Sequence, residues 1–247
     1  DDLTGDPNDP REHLDRVKTT LQDIITKVNA KRDAAKAQYE ARSRKSKTSR
    51  TFQKGDLVLF DALSHASIKD GIRLSKATAF KFKHNDFKDL KRLLMKHKDF
   101  KTVFVVVEGL YSMHGDFCDI NELLPLKEEF GFTLITDEAH SAGVTGANGT
   151  GVFSFQEAEI KVVTFGKAFG LHGACVLGSE TLKSYLINFS RPFIYTTALP
   201  IDLIKQIPNI LVPDNINSKR EKLLANIQFF RLEVKKHLGD DFLSSAE

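Results

Sequence analysis

Cysteine, net charge and long apolar runs are all scarce in this 247-residue chain. Two cysteines, Cys118 and Cys175, cannot build the disulfide framework of a small secreted scaffold, and they fall in segments of different expected structure. That usage suits a reducing compartment, so a cytoplasmic protein is expected. The longest apolar runs, such as Val103 to Val107, reach about a quarter of the ~20 residues that span a bilayer. No membrane partner is expected. The opening Asp1-Asp2-Leu3-Thr4 has neither the basic n-region nor the apolar h-region of a secretory signal, and it lacks an initiator Met; a trimmed start or a fragment is expected.

The 36 basic and 33 acidic side chains leave a net charge of only +3. All of that excess sits in the first 50 residues, where 12 Lys/Arg face 9 Asp/Glu; the rest is balanced at 24 against 24. A neutral body excludes a dedicated nucleic-acid or membrane-surface protein, which needs a basic face to meet phosphates. Several catalytic signatures are also absent. No GxxxxGK[ST] phosphate loop accompanies Asp137-Glu138-Ala139-His140, so the helicase-like reading of that tetrapeptide fails; Gly166-Lys167 is followed by Ala168, and Lys161 stands where the first glycine belongs. No GxSxG elbow marks a serine hydrolase. His140, His172 and Cys175 are possible metal ligands by type but lack the compact paired spacings of zinc sites, so no metal is expected.

What is present divides near residue 50. The first segment, 1–50, reads as a charged helical arm ending in a basic linker. Asp9-Pro10-Arg11-Glu12 has the make-up of a helix start, with an N-cap, a proline at the first helical position and a capping-box glutamate. Leu14, Val17, Leu21, Ile24 and Val28 follow on one face, a stripe of about two heptads, too short for a long coiled coil. Arg42 to Arg50 is a Ser/Lys/Arg tract without interleaved aromatics, and it reads as solvated linker in preference to a nucleic-acid site.

From Gly55 onward, short β-rich runs alternate with helical ones. Candidate strands are Leu57 to Phe60, Ala79 to Phe82, Val103 to Val107, Thr133 to Thr136, Val162 to Phe165 and Ala174 to Leu177. Helical patterns follow Asn85-Asp86 (Phe87, Leu90, Leu93, Leu94) and include Ile120, Leu123, Leu124 and Leu126, interrupted by Pro125; a long amphipathic helix is expected through Leu223, Ile227, Phe230, Val234 and Leu238. The alternation predicts an α/β fold with a mostly parallel sheet and flanking helices. Strands apolar throughout, such as Val103 to Val107, predict cover on both faces.

In open parallel sheets, ligands bind beyond the carboxyl ends of the strands. Three strand ends here carry reactive side chains: Glu108 after one, Asp137 with His140 after the next, and Lys167 between Gly166 and Gly170 after a third. The flanking glycines and the apolar strand predict low solvent access for Lys167, and desolvation makes a lysine a usable nucleophile or Schiff-base former. On context alone, Lys167 is either such an amine or a capping or ion-pairing residue, and Asp137 either a functional carboxylate or an N-cap.

The motifs Asp61-Ala62-Leu63-Ser64-His65-Ala66-Ser67, Glu108-Gly109-Leu110-Tyr111-Ser112-Met113 with Gly115-Asp116, Asp137-Glu138-Ala139-His140-Ser141, Thr164-Phe165-Gly166-Lys167 and Tyr195-Thr196-Thr197-Ala198-Leu199-Pro200 stand in the order found in the α-oxoamine synthases. The chain resembles that family of pyridoxal-phosphate enzymes, which have the aspartate-aminotransferase fold (fold type I), from about Gly55 to Pro200. The runs Gly170 to Ser179 and Arg191 to Pro200 are most similar to the branch that makes 8-amino-7-oxononanoate in biotin synthesis.

The resemblance implies that residues 51–247 are an incomplete pyridoxal 5'-phosphate-binding large domain. It implies that Lys167 forms the Schiff base with the cofactor, Asp137 pairs with the pyridine nitrogen, and His65 stacks on the ring. It further implies that His140 and Ser112 bond near the phenolic oxygen and the substrate, that Thr164 binds the phosphate, and that Thr196 or Thr197 reaches the phosphate of a neighbouring subunit in a homodimer. Lys167, His65 and His140 are the implied catalytic residues. The implied reaction is decarboxylative condensation of an amino acid, L-alanine in this branch, with an acyl thioester such as pimeloyl-CoA or its acyl-carrier-protein form. A sister activity using glycine, or a non-catalytic remnant, are the alternatives. The family's glycine-rich phosphate turn, expected before Gly55, and its small C-terminal domain, expected after Glu247, have no counterpart in this sequence.

Overall fold

The computed structural model describes residues 55–238, without the side chains of 213–215. The expected Leu14 to Val28 helix and the Arg42 to Arg50 linker lie outside the described residues. Within them the order is β1 (Leu57–Asp61), α1 (Ala66–Ser75), β2 (Thr78–Phe82), α2 (Phe87–Lys96), β3 (Val103–Glu108), α3 (Ile120–Phe130), β4 (Thr133–Asp137), a 3-10 turn (Ala147–Gly149), β5 (Ile160–Thr164) and β6 (Ala174–Leu177). Four helices follow: α4 (Glu180–Phe189), α5 (Arg191–Tyr195), α6 (Ile201–Ile210) and α7 (Pro213–Leu238).

All six expected strands form. They make one sheet in the order β2-β1-β3-β4-β5-β6, parallel except for β6, which runs antiparallel to β5. The direction of strand addition reverses between β1 and β3, and the crevice at such a switch point is where open α/β sheets bind ligands.

Local chemistry sets the helix ends. Asp86 Oδ1 accepts the backbone N–H of Asp89 at 2.9 Å to start α2, and Asp119 Oδ1 accepts that of Asn121 at 3.0 Å to start α3. Gly131, at φ 65°, takes the left-handed conformation that closes α3. The expected break at Pro125 does not occur: α3 runs through it to Phe130. Pro125 lies in the second turn, where it forfeits the single bond to the Asn121 carbonyl, and Leu123 and Leu126 on either side are buried in the core.

The two faces of the sheet differ. Leu57, Leu59, Val105, Val107 and Leu134 project to the same side and pack with Phe87, Leu90, Leu93 and Leu94 of α2 and Leu123 and Leu126 of α3. On the opposite side Val58 and Val106 are buried, but Phe60, Phe104, Ile135, Ile160 and Val162 are only half-buried. Cover on both faces, expected from the apolar strands, is therefore complete on one face alone among the described residues, because both packed helices lie on that face. The expected α7 does form, yet Leu223, Ile227, Phe230 and Leu238 are exposed. No described residue beyond Phe165 is buried.

Candidate active site

Side chains in register across neighbouring strands share a face. Glu108, the last residue of β3, stands beside Asp137, the last of β4, and both are on the half-buried face. Thr164, at the end of β5, has the same parity through the pairing of Asp137 with Val162. The strand ends thus bring two carboxylates and a hydroxyl to the rim of the less covered face.

The turn after β1 adds His65. Asp61, fully buried, accepts the N–H of Leu63 at 2.8 Å and shapes this turn. The backbone N–H of His65 then donates to Glu108 Oε1, which fixes the turn to β3 across the switch point. The His65 ring is exposed, caps α1 by accepting from the Ser67 N–H at 3.3 Å, and lies 2.8 Å from Ser67 Oγ.

Lys167 follows β5 in the turn that precedes β6. Its Nζ is 2.6 Å from His140 Nε2. His140 has its pKa lowered by burial and by the nearby Lys167 charge, against an opposing effect of Asp137, so its ring favours the neutral form, whose Nε2 can accept a hydrogen bond from the Lys167 ammonium. Low solvent access for Lys167 is not found: the residue is exposed, as are its neighbours Gly166 and Ala168. The buried lysine is Lys161, six residues earlier, whose ammonium bonds to the carbonyls of Thr150 (3.0 Å) and Phe153.

Glu108 received no role from the sequence, although its place at a strand end was visible. Burial pushes its pKa up to about 7, with the Asp137 charge adding to the rise and the His65 N–H and Lys167 opposing it. The signal that could have found it is its register with Asp137, which needs the sheet order to be read. Glu138, in contrast, is structural. Fully buried, it accepts from Ser141 Oγ, from Val152 N–H at 2.9 Å and from Phe153 N–H at 3.0 Å. A Cβ on Gly109 or Gly151 would collide with its carboxylate. Gly151 therefore closes against a buried acid, and its loop is held by Arg220, whose Nη2 donates to the Gly146 carbonyl at 2.8 Å.

The structure brings Lys167, His140, Asp137, Glu108 and His65 into one electrostatic cluster. Ser112 is exposed on the loop after β3, and Thr196 and Thr197 are exposed after α5. No hydrogen bond among the described residues joins these three to the Lys167–His140 pair. Leu199 does approach the turn that carries Lys167, close enough that a Cβ on Gly173 would meet Leu199 Cδ1 at 2.7 Å.

Comparison with known proteins gives a consistent picture. The profile of a family described as aminotransferase class I and II matches residues 45–245. A putative 8-amino-7-oxononanoate synthase of Geobacillus kaustophilus is 41% identical over 192 residues, covering 75% of this chain and 49% of the relative. The 8-amino-7-oxononanoate synthase of Geobacter metallireducens is 41% identical over 187 residues, covering 72% and 47%. The chain thus spans about half the length of the curated relatives it matches. Among solved structures, the serine palmitoyltransferase of Sphingomonas wittichii superimposes with a TM-score of 0.66 at 30% identity, over 74% of this chain and 47% of that one. The 8-amino-7-oxononanoate synthase of Francisella tularensis gives 0.60 at 37% identity, over 75% and 55%.

Proposed function

Because the chain belongs to the aminotransferase class I and II family, we propose that its strand-end cluster is the pyridoxal-phosphate cradle of an enzyme that condenses an amino acid with an acyl thioester. The observation that carries this reading is the 2.6 Å approach of Lys167 Nζ to His140 Nε2, beside Asp137 and Glu108 on adjoining strand ends.

The residues suit the cofactor. Lys167 is an exposed primary amine, reachable by an aldehyde. Asp137 uses Oδ1 for the Ala139 N–H at 2.9 Å, and Oδ2 has no partner among the described residues, so it can hold a proton on a pyridine nitrogen. Thr164 Oγ1 is a buried hydroxyl without a hydrogen-bond partner, one donor for a phosphate oxygen. When bound, pyridoxal phosphate supplies a carbonyl for the amine and a ring that withdraws electrons from the substrate α-carbon.

This chain's own residues do the rest. Neutral His140 is placed to accept a hydrogen bond from Lys167 and orient the amine, and the freed Lys167 amine is placed to move the α-proton. The carboxylate of Asp137 balances the positive ring, and His65 offers a flat exposed face for stacking. Ser112 and His140 serve the substrate side. Thr196 or Thr197 serves the phosphate of a second copy in a homodimer.

L-alanine and a pimeloyl thioester, as pimeloyl-CoA or the carrier-protein form, are the proposed substrates, giving 8-amino-7-oxononanoate, CO2 and a free thiol. The relatives at 41% identity support that choice, and the solved serine palmitoyltransferases at 30–32% support a sister activity with another amino acid. Turnover with alanine, glycine and serine in parallel separates them. For the cradle itself, adding pyridoxal phosphate to the chain gives a visible absorbance band that borohydride reduction bleaches while fixing the cofactor covalently to the chain, and Lys167→Ala loses both. A band that persists in that variant removes Lys167 from the role; no band in either protein favours a non-catalytic chain.

A further inference from the structure

A second polar cluster stands beside the cradle. Its centre is His84, two residues past the end of β2. His84 Nδ1 lies 2.9 Å from Asp61 Oδ1, and His84 Nε2 lies 2.7 Å from Asp116 Oδ2. Asp61 is the fully buried residue that shapes the His65 turn. Asp116 belongs to a closed loop after β3, in which Leu110 pairs with Phe117, the Tyr111 N–H donates to the Asp116 carbonyl at 2.9 Å, and Ser112 is carried at the exposed tip.

Asn85 repeats the bridge from the next position. Its backbone N–H donates to Asp61 Oδ2 at 2.9 Å, and its side-chain amide donates to Asp116 Oδ2 and to the Phe117 carbonyl, each at 2.9 Å. Asn85 reaches both because it adopts φ 48°, a left-handed conformation that asparagine tolerates. The Tyr111 ring packs edge-on against His84 at 4.5 Å between centroids. Three loops that the sequence separates are thereby fastened at one imidazole.

We propose that His84 is a positioning residue for the cradle: by bridging Asp61 and Asp116 it holds the 110–117 loop, and with it Ser112, in register with the turn that presents His65. Its bearing on the reaction rests on the function proposed above, whereas the clamp does not.

The bridge has a protonation requirement. Ionised carboxylates only accept, and a neutral imidazole donates from one nitrogen. Both contacts are satisfied together only when His84 is an imidazolium. Burial by itself lowers the His84 pKa, but the hydrogen bonds and charges of Asp61 and Asp116 outweigh it and the net direction is upward from 6.5. The groups facing the ring are Asp61 from β1, Asp116 and Tyr111 from the loop, Asn85 from its own turn, and the ring of His114 stacked at 5.9 Å. A raised folded value means the stabilisation is full below the unfolded pKa and is lost as pH rises through the folded one.

The test follows His84 by NMR in the full chain labelled at histidine, its signal assigned by loss in His84→Gln, together with amide exchange over 110–117 corrected for the intrinsic rate. His84 is expected to titrate above 6.5 and to move down in Asp116→Asn. Loop protection is expected to fall as pH passes that value in the wild type and to be low at every pH in His84→Gln. Titration at or below 6.5 overturns the proposal, and so does loop protection independent of pH in the wild type, which holds even if the variants do not fold. A clamp that behaves as expected in a chain that binds no cofactor overturns the proposed function instead.

Discussion

The two faces of the sheet are made of similar apolar residues and have different fates. On one, Leu57, Leu59, Val105, Val107 and Leu134 are closed over by α2 and α3 and are fully buried. On the other, Phe60, Phe104, Ile135, Ile160 and Val162 stay half-open, and Glu108, Asp137 and Thr164 share their side at the strand ends. The covered face is where stability is stored. The other is where reactive groups can stand, because a carboxylate or a lysine needs an approachable surface to act and a core position would demand full pairing. Lys161 and Lys167 make the same contrast within seven residues: the first is locked between carbonyls, and the second is free to meet a reagent.

Adjacent residues of β4 provide the strongest way to break this comparison. Leu134→Ala on the covered face is expected to cost about 2–5 kcal/mol of unfolding free energy. Ile135→Ala on the other is expected to cost about 1 kcal/mol, since less surface is withdrawn from water. Urea denaturation of both variants checks it, and equal losses mean that the second face is covered in solution too. The next largest effect is expected at Glu138. Truncation in Glu138→Ala leaves Ser141 Oγ and the N–H groups of Val152 and Phe153 without their acceptor, which costs about 2–4 kcal/mol. The last effect is a change of slope. Glu108 has a folded pKa of about 7 against an ordinary 4.5. The folded state therefore binds the proton more tightly, and this group's contribution is full below 4.5 and is lost as pH rises to about 7. Glu108→Gln is expected to flatten that part of the stability profile, measured by urea midpoints across the same range.

Much of this organisation was legible in the residues. Mostly apolar runs of four or five residues located every strand, because a strand buried on at least one face needs them. Strand-end chemistry singled out Asp137, His140 and Lys167 before any geometry was known. Other features were not legible. The stretch around Pro125 reads as a helix break, and only the packing of Leu123 and Leu126 carries the helix through it. The glycines flanking Lys167 suggested a desolvated amine, whereas the lysine found buried among the described residues is Lys161. His84 has no local signal at all, since both of its partners are more than twenty residues away.

By itself, the sequence determined the α/β alternation, the strand positions, the neutral body and the residue types at the strand ends, because these follow from local propensity and from the period of apolar residues. Only the tertiary structure decided which carboxylate is a clamp and which faces Lys167, which lysine is buried, and which loops His84 ties together. Those outcomes depend on strand order and register, which set distances between residues far apart in the chain, and a linear pattern does not encode which strand ends become neighbours.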